Sequence, residues 1–375
     1  MLIIGAYGCG NCGDDAIVQS ICQQFHEWDI CAANGACEDI GKLFHIRTVP
    51  CRLNEGFSLT VFISMLGDVF RIGRQVITSD VLMYGGGSLI HDLRPYNLPF
   101  MFMWHALAKL LHKRVYYFSM GVGPIETKLG KHLCKRFLKS ADGLFVRDER
   151  GYQICSDLGL TKAVKTADAA FAYWVTEELP QEVANMLPEA YISVTGSQWF
   201  QSSNFWKRES MNFEDEVRLF ANCIAEASKT WGLPVVFVPT VVHDRRLAAD
   251  IKKYLADVDF RIAGEQGIWN CSIASRIIEK STFLLGVRMH SIIFAARKGI
   301  PFMALIYDEK VRQLVNILGM ETYSVSMEQM SVDAVSECIR RVQAERETIS
   351  QQLTDKAQKL KALVEQSANQ IKIEC

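Results

Sequence analysis

The 375-residue chain lacks a charge excess of either sign: 41 Lys and Arg stand against 42 Asp and Glu, for a formal net charge of −1. That balance leaves no electrostatic footprint for a polyanion, so no nucleic-acid partner is expected. With 49% apolar residues the chain is also far from the composition of a disordered protein, and it is long enough for two domains that each bury a core. Long apolar runs are missing too. No stretch reaches the ~18–20 uninterrupted apolar residues of a membrane-spanning helix. Tyr96–Leu111 comes nearest, but it carries His105 and Lys109 and is expected to be a buried helix. Phe57–Ile77, apolar with Arg71 and Arg74, fits either a core helix or peripheral contact with a membrane surface.

Metal-ligand spacing is the next absence. Twelve cysteines are scattered along the chain, and Cys9-x-x-Cys12 has no second Cys pair or Cys/His pair to complete a site, so neither a metal nor a redox cofactor is expected. The opening Met-Leu-Ile-Ile-Gly carries no basic stretch and runs straight into a Gly-rich turn. It is read as a first strand rather than a secretory leader, and reduced thiols in a cytosolic protein follow. The glycines of that turn match neither the dinucleotide fingerprint nor the P-loop, which needs Gly-Lys-Ser/Thr.

What the chain has instead is a rhythm of apolar strands ending in glycine. Leu2–Ile4 leads into Gly5 to Asp15, with Asp14 and Asp15 placed for the first turn of a helix; Asp80–Tyr84 leads into Gly85-Gly86-Gly87-Ser88-Leu89-Ile90-His91-Asp92; Arg114–Met120 leads into Gly121-Val122-Gly123-Pro124; and Gly143–Asp148 leads into a helix. Strands alternating with helices in this way predict a parallel sheet with helices on both faces, with ligands at the carboxyl ends of the strands. A polar, acidic stretch from Tyr173 to Pro188 reads as a linker, and a second alternating set follows it. The expected organisation is α/β: two doubly wound Rossmann-like domains facing a cleft, at 1–175 and 190–325, and a C-terminal helical segment at 326–375.

In the second set, Leu284–Val287 runs into Arg288-Met289-His290-Ser291 and then a helix-like segment that stops at Gly299. A strand end meeting a helix N-terminus offers backbone N–H groups and a positive dipole to a phosphate or carboxylate. Arg288 would add a bidentate clamp, and His290 is placed to exchange a proton near neutral pH. A capping histidine and an arginine paired to a structural carboxylate fit the same residues.

Five elements stand in one order: the Gly-x-x-Gly-x-Gly-Asn-x-Gly-Asp-Asp opening, Gly85-Gly86-Gly87-Ser88-Leu89-Ile90-x-Asp92, Gly121-Val122-Gly123-Pro124, Arg288-Met289-His290, and Tyr307-Asp308-x-Lys310-Val311. Together, over roughly residues 1–320, they resemble the polysaccharide pyruvyl transferase family. The resemblance implies a fold like the two-domain (GT-B-like) glycosyltransferases. It also implies transfer of a pyruvyl group from phosphoenolpyruvate to a sugar of a cell-surface polysaccharide or its lipid-linked precursor, giving a pyruvate ketal. In such members the Arg and His of the Arg-x-His motif serve the donor, here Arg288 and His290. One departure stands out: the family resembles Ile-Ser-Val-Arg where this chain has Ile192-Ser193-Val194-Thr195, with Arg147, Arg245 and Arg246 available as replacements.

That chemistry assigns expectations residue by residue. Arg288, Lys310, Gly286 and Ser291 are expected on the donor, His290 as the proton source, and Asp14 or Asp92 as the base that relieves an attacking hydroxyl. Gly10, Asn11, Asp15, Gly86, Gly87 and Ser88 are expected at the acceptor side of the cleft. Capping and turn chemistry fits the aspartates equally. The partners would be phosphoenolpyruvate and a sugar or polyprenyl-linked acceptor, in the cytoplasm or at the inner face of its membrane. Two other classes fit the same chain: a nucleotide-sugar glycosyltransferase, and a non-catalytic homologue in a glycan assembly complex.

Overall fold

The structure is a computed structural model, and it describes residues 1–34, 41–42, 44–51, 59–94, 97–175, 177–197, 212–265 and 269–375. Phe57, Tyr96 and Thr176 from the stretches named above lie outside them, and of residues 59–66 only the backbone is described. The chain divides into two compact units: Met1–Tyr173 with Leu360–Cys375, and Trp174–Lys359. Each is a parallel sheet flanked by helices, the α/β class that the alternating strands foretell.

Unit 1 contains β1 (Leu2–Ile4), β2 (Cys31–Asn34), β3 (Arg47–Pro50), β4 (Val81–Gly85), β5 (Arg114–Met120), β6 (Gly143–Val146) and β7 (Ala163–Lys165), in the order β3-β2-β1-β4-β5-β6-β7. Every pairing is parallel. The connections β3→β4, β4→β5 and β5→β6 step toward the same edge, so right-handed crossovers put helices Leu59–Thr78, Asn97–Leu110 and Lys128–Ser140 on one face. Alternate strand residues, among them Ile4, Tyr84, Tyr117 and Val146, point to that face and join Ile72, Val76, Phe102, Trp104 and Leu138 in one buried cluster. On the opposite side Cys12–Gln24 is met by the end of the chain: Lys372 Nζ donates to the Gln24 carbonyl at 3.2 Å and sits over the Phe25 ring.

Asn97–Leu110 departs from the buried helix expected of it. His105 is buried, but Met103 and Leu110 are exposed and Lys109 pairs with Asp142 at 2.7 Å. The helix is apolar on its outer side as well as on the side that meets the sheet. His105 Nε2 lies 2.8 Å from Ser140 Oγ, which donates its own hydrogen to the Phe137 carbonyl, and Nδ1 lies 2.9 Å from Tyr117 Oη. Donor counting then puts the ring hydrogen on Nε2 and leaves Nδ1 to accept from Tyr117.

Unit 2 contains β8 (Ile192–Val194), β9 (Val235–Phe237), β10 (Phe260–Ile262), β11 (Phe283–Gly286), β12 (Phe302–Ile306) and β13 (Ser324–Ser326), ordered β10-β9-β8-β11-β12-β13 and parallel throughout. Both units thus repeat the doubly wound order in which the first strand sits beside the fourth. The crevice at that reversal, β1/β4 in one unit and β8/β11 in the other, is where this topology binds ligands. Helices Val332–Ala344 and Arg346–Glu374 end the chain, as the periodic polar sequence predicts. No helix of the described residues is long and apolar enough to cross a membrane.

Candidate active site

The motif around Arg288 lies at the reversal point of unit 2. β11 ends at the buried Gly286, and Arg288 is the N-cap of helix Met289–Arg297, in extended conformation (φ −81, ψ 132). The helix therefore opens at the carboxyl edge of the sheet, with His290 half-buried in its first turn. Arg288 is held from two neighbouring strands. Its Nε donates to the Gly196 carbonyl beyond β8 at 3.1 Å, and its Nη2 donates to Asp244 Oδ1 beyond β9 at 2.6 Å. Asp244 is fully buried and also accepts from the backbone of Thr240 (3.2 Å) and Val241 (2.9 Å), so its carboxylate is fixed before the arginine reaches it. The Arg288 side chain keeps 23% of its surface exposed. A guanidinium has five N–H donors, so one anchored through Nε and Nη2 retains donors for a ligand.

Tyr307 completes the group. Burial first, and then the Asp308 carboxylate, push its hydroxyl up to about 12, while its hydrogen bond with Arg288 acts the other way. It stays protonated at neutral pH. Asp308 caps helix Glu309–Leu318 by accepting from Val311 N at 2.9 Å, and Lys310 is exposed in the first turn of that helix.

Thr195 stands at the end of β8, fully buried. Ser291 Oγ donates its hydrogen to the Arg288 carbonyl at 2.6 Å, so in its 2.9 Å contact with Thr195 it must accept. Thr195 Oγ1 in turn accepts from Val287 N at 3.1 Å. The two hydroxyls form a dry stitch across β8, β11 and the helix that carries Arg288. Ser291 thus supports the backbone of the site from inside, on the side away from solvent.

Of the three arginines noted as replacements, Arg147 is committed within unit 1, Arg246 is exposed, and Arg245 is half-buried beside Asp244. Its Nη2 lies 3.1 Å from where a Cβ on Gly264, just beyond β10, would stand. No carboxylate pairs with Arg245 among the described residues.

Unit 1 gathers its glycine turns at the equivalent edge. Gly86 has φ +64, and a Cβ there would stand 2.2 Å from Ile17 Cγ2, so both backbone sign and packing require glycine. Tyr7 Oη donates to the Gly85 carbonyl, tying the first turn to the second. Asn11 caps helix Cys12–Gln24 through Gly13 N (3.1 Å) and donates to Asp14 Oδ2 (2.7 Å); Asp15 accepts from Gly8 N (2.8 Å); and Gly10, at φ +71, closes the turn. Asp14 faces the next turn, with Oδ1 3.7 Å from a Cβ built on Gly87.

Asp92 is drawn elsewhere. Its carboxylate accepts from Glu126 N (3.0 Å), Thr127 N (2.7 Å) and Thr127 Oγ1 (2.7 Å), capping the approach to Lys128–Ser140. Burial pulls its pKa up, but these bonds outweigh that and hold it below the ordinary carboxylate value. Ser88 is bound as well: Arg147 Nη2 donates to its Oγ at 3.0 Å, while Nη1 pairs with Asp168 Oδ2 at 2.6 Å, both charged side chains buried. Gly121 leaves the room for this, since a Cβ there would lie 2.8 Å from Ser88 Oγ and 3.1 Å from Arg147 Nε.

The sequence reading missed Asp244 and Gly196, although both hold Arg288. An Asp opening a predicted helix just after a strand was the available signal for Asp244. Among the described residues no cluster of His, Cys, Asp and Glu suited to a metal ion is present.

Known proteins share the fold that carries these residues. Three of the solved structures that share the fold illustrate the likeness. They are Staphylococcus aureus MnaA with UDP (12% identity, 94% of this chain and 90% of that one, TM-score 0.61), the UDP-GlcNAc 2-epimerase of Neisseria meningitidis bound to UDP-GlcNAc (11%, 96% and 98%, 0.60), and Anabaena Alr3699/HepE with UDP and glucose (9%, 99% and 98%, 0.62). At such identities the likeness is one of fold, of the GT-B-like type. No curated protein matches the sequence significantly. The sequence profile of polysaccharide pyruvyl transferases matches residues 11–309, from the cap of the first helix to the motif that follows β12, and the chain belongs to that family.

Proposed function

We propose that the chain transfers a pyruvyl group from phosphoenolpyruvate to two hydroxyls of a sugar, on a cell-surface polysaccharide or its lipid-linked precursor, forming a pyruvate ketal. The observation that carries this reading is Arg288, anchored by Asp244 and Gly196 at a helix N-terminus with His290 two residues on. A pre-oriented cation and the helix dipole suit a donor with both a phosphate and a carboxylate.

In the reaction as drawn, His290 gives a proton to the methylene carbon of the donor, the first sugar hydroxyl adds to C2, and the second replaces phosphate there. The two hydroxyl protons are balanced by the one placed on carbon and the one that leaves on hydrogen phosphate. We assign the base to Asp14, which faces the Gly86-Gly87 turn and accepts from Asn11 Nδ2 at 2.7 Å, rather than to Asp92, whose carboxylate caps Lys128–Ser140 and is held acidic. Lys310 and Arg245 supply further positive charge at the donor edge. Neither a metal nor a redox cofactor is required by this balance. The setting we assign is the cytoplasm, where the donor is made.

The UDP-bound neighbours make a sugar nucleotide the reading to test against. Thermal denaturation with phosphoenolpyruvate, and separately with a panel of sugar nucleotides, discriminates the two. A ligand at ~100 times its dissociation constant adds about 2.7 kcal/mol of stability. A raised midpoint with phosphoenolpyruvate alone, lost in Arg288→Ala, is expected; a rise with a sugar nucleotide instead would replace the reading.

A further inference from the structure

Helices Leu59–Thr78, Asn97–Leu110 and Lys128–Ser140 lie side by side on one face of the unit 1 sheet, and their inner sides fill its core. Their outer sides share a pattern that the catalytic proposal does not use. Lys128–Ser140 exposes Lys128, Lys131, Lys135, Arg136 and Lys139 and contains no acidic residue. None of the five has an ion-pair partner among the described residues. On the central helix the exposed positions Pro99, Met103, Ala106 and Leu110 follow helical spacing and make an uninterrupted apolar stripe, with Leu110 76% exposed. The third helix turns Phe70, also 76% exposed, Arg74 and Ile77 outward.

We propose that this face of unit 1 docks on an anionic lipid membrane. Exposed apolar side chains flanked by unpaired cations are what an interfacial surface needs: the first enter the acyl boundary and the second meet lipid phosphates. A second copy of this chain is a poor occupant, because a two-fold contact would set the basic helix near its own image. The chain's net charge of −1 hides the feature, since the compensating acids lie elsewhere. The proposal stands apart from the identity of the donor, and it fits a reaction on a lipid-linked acceptor.

Vesicle co-sedimentation of the full chain tests it, with phosphatidylcholine alone against phosphatidylcholine containing about one-third phosphatidylglycerol. The protein is expected to sediment with the anionic vesicles only, less so as salt rises from about 0.1 M to about 0.5 M. Each lysine removed should weaken binding roughly fivefold, so Lys131→Gln/Lys135→Gln/Lys139→Gln loses about 100-fold, and Lys131→Glu/Lys135→Glu/Lys139→Glu loses more. Phe70→Ser/Leu110→Ser should abolish the binding that survives high salt. Circular dichroism and the urea midpoint verify that each variant is folded, and the glutamine variant keeps the helix if the charge reversal does not. Equal partition onto neutral vesicles, binding to neither, or a folded triple variant that binds like the parent would overturn the proposal; the face would then belong to a protein partner.

Discussion

Both units place an Arg–Asp pair at the carboxyl edge of the same kind of sheet, and the two pairs differ in what they leave exposed. In unit 1, Arg147 and Asp168 are both buried, with 5% and 7% of their side-chain surface accessible, and the remaining arginine donors go to Ser88 and toward Asp148. In unit 2, Asp244 is wholly buried while Arg288 keeps 23%. The first arrangement closes on itself and stiffens the Gly85–Ser88 turn. The second uses a buried carboxylate to aim a cation outward. One topology therefore yields a mostly acidic edge with its cation neutralised and a mostly basic edge with its anion hidden.

The largest effect should come from breaking the closed pair. Arg147→Ala removes the guanidinium from a buried Asp168, whose Oδ1 still accepts from Ala170 N at 3.0 Å, and should cost about 3–5 kcal/mol, visible as a lower urea midpoint. Arg288→Ala should behave in the opposite sense. Asp244 keeps its backbone donors, and water can take the place of the part-exposed Arg288 side chain beside it, so the stability loss should be about 1–2 kcal/mol, whereas phosphoenolpyruvate-dependent turnover should fall ~10²–10³-fold. If Arg147→Ala proves the milder on stability, or Arg288→Ala leaves turnover unchanged, the contrast between the pairs is gone.

A third test lies beneath the basic face. Burial, and then Lys109, hold the His105 pKa down to about 4 from 6.5, against the pull of Asp142. The unfolded chain then binds more protons than the native one between those values, so stability should decline as pH falls from about 6.5 to about 4. The loss is bounded by about 3 kcal/mol, and His105→Gln should flatten it in melts taken across that window. Smaller again is Thr195→Val, which deprives Val287 N of its acceptor and should cost about 1–3 kcal/mol, while Thr195→Ser should be nearly neutral. These melts decide whether Thr195 is part of the frame under Arg288 or merely a lost clamp.

Local signals were the legible ones. Apolar runs closing on glycine marked the strands and their turns, and Arg288-x-His290 marked a strand–helix junction at the carboxyl edge of the second sheet. The partners of those residues were not legible, because they are distant in the chain. Asp244 is 44 residues from Arg288 and Gly196 is 92, and only the order β9-β8-β11 brings them together. Asp92 misled for the same reason: the donors that saturate it are 34 and 35 residues onward. The apolar stripe of Asn97–Leu110 looked like core because composition does not say which side of a helix meets the sheet.

The finest prediction concerns Arg245, the half-buried cation next to Asp244. If it serves the donor beside Arg288, Arg245→Ala should raise the Michaelis constant for phosphoenolpyruvate about tenfold, equivalent to about 1.4 kcal/mol of binding, with the turnover number little changed. Arg245→Lys should recover part of the loss, since the charge returns without the planar fork. A structural arginine would behave differently, lowering the melting midpoint without moving the Michaelis constant. Thr195 fills its place in the frame with a hydroxyl that no cation could replace without breaking the stitch to Val287 and Ser291, so under the proposed function a second positive charge for the donor would come from another strand. Arg245, opening from β9 and lying against Gly264 beyond β10, is the half-buried arginine that meets that requirement.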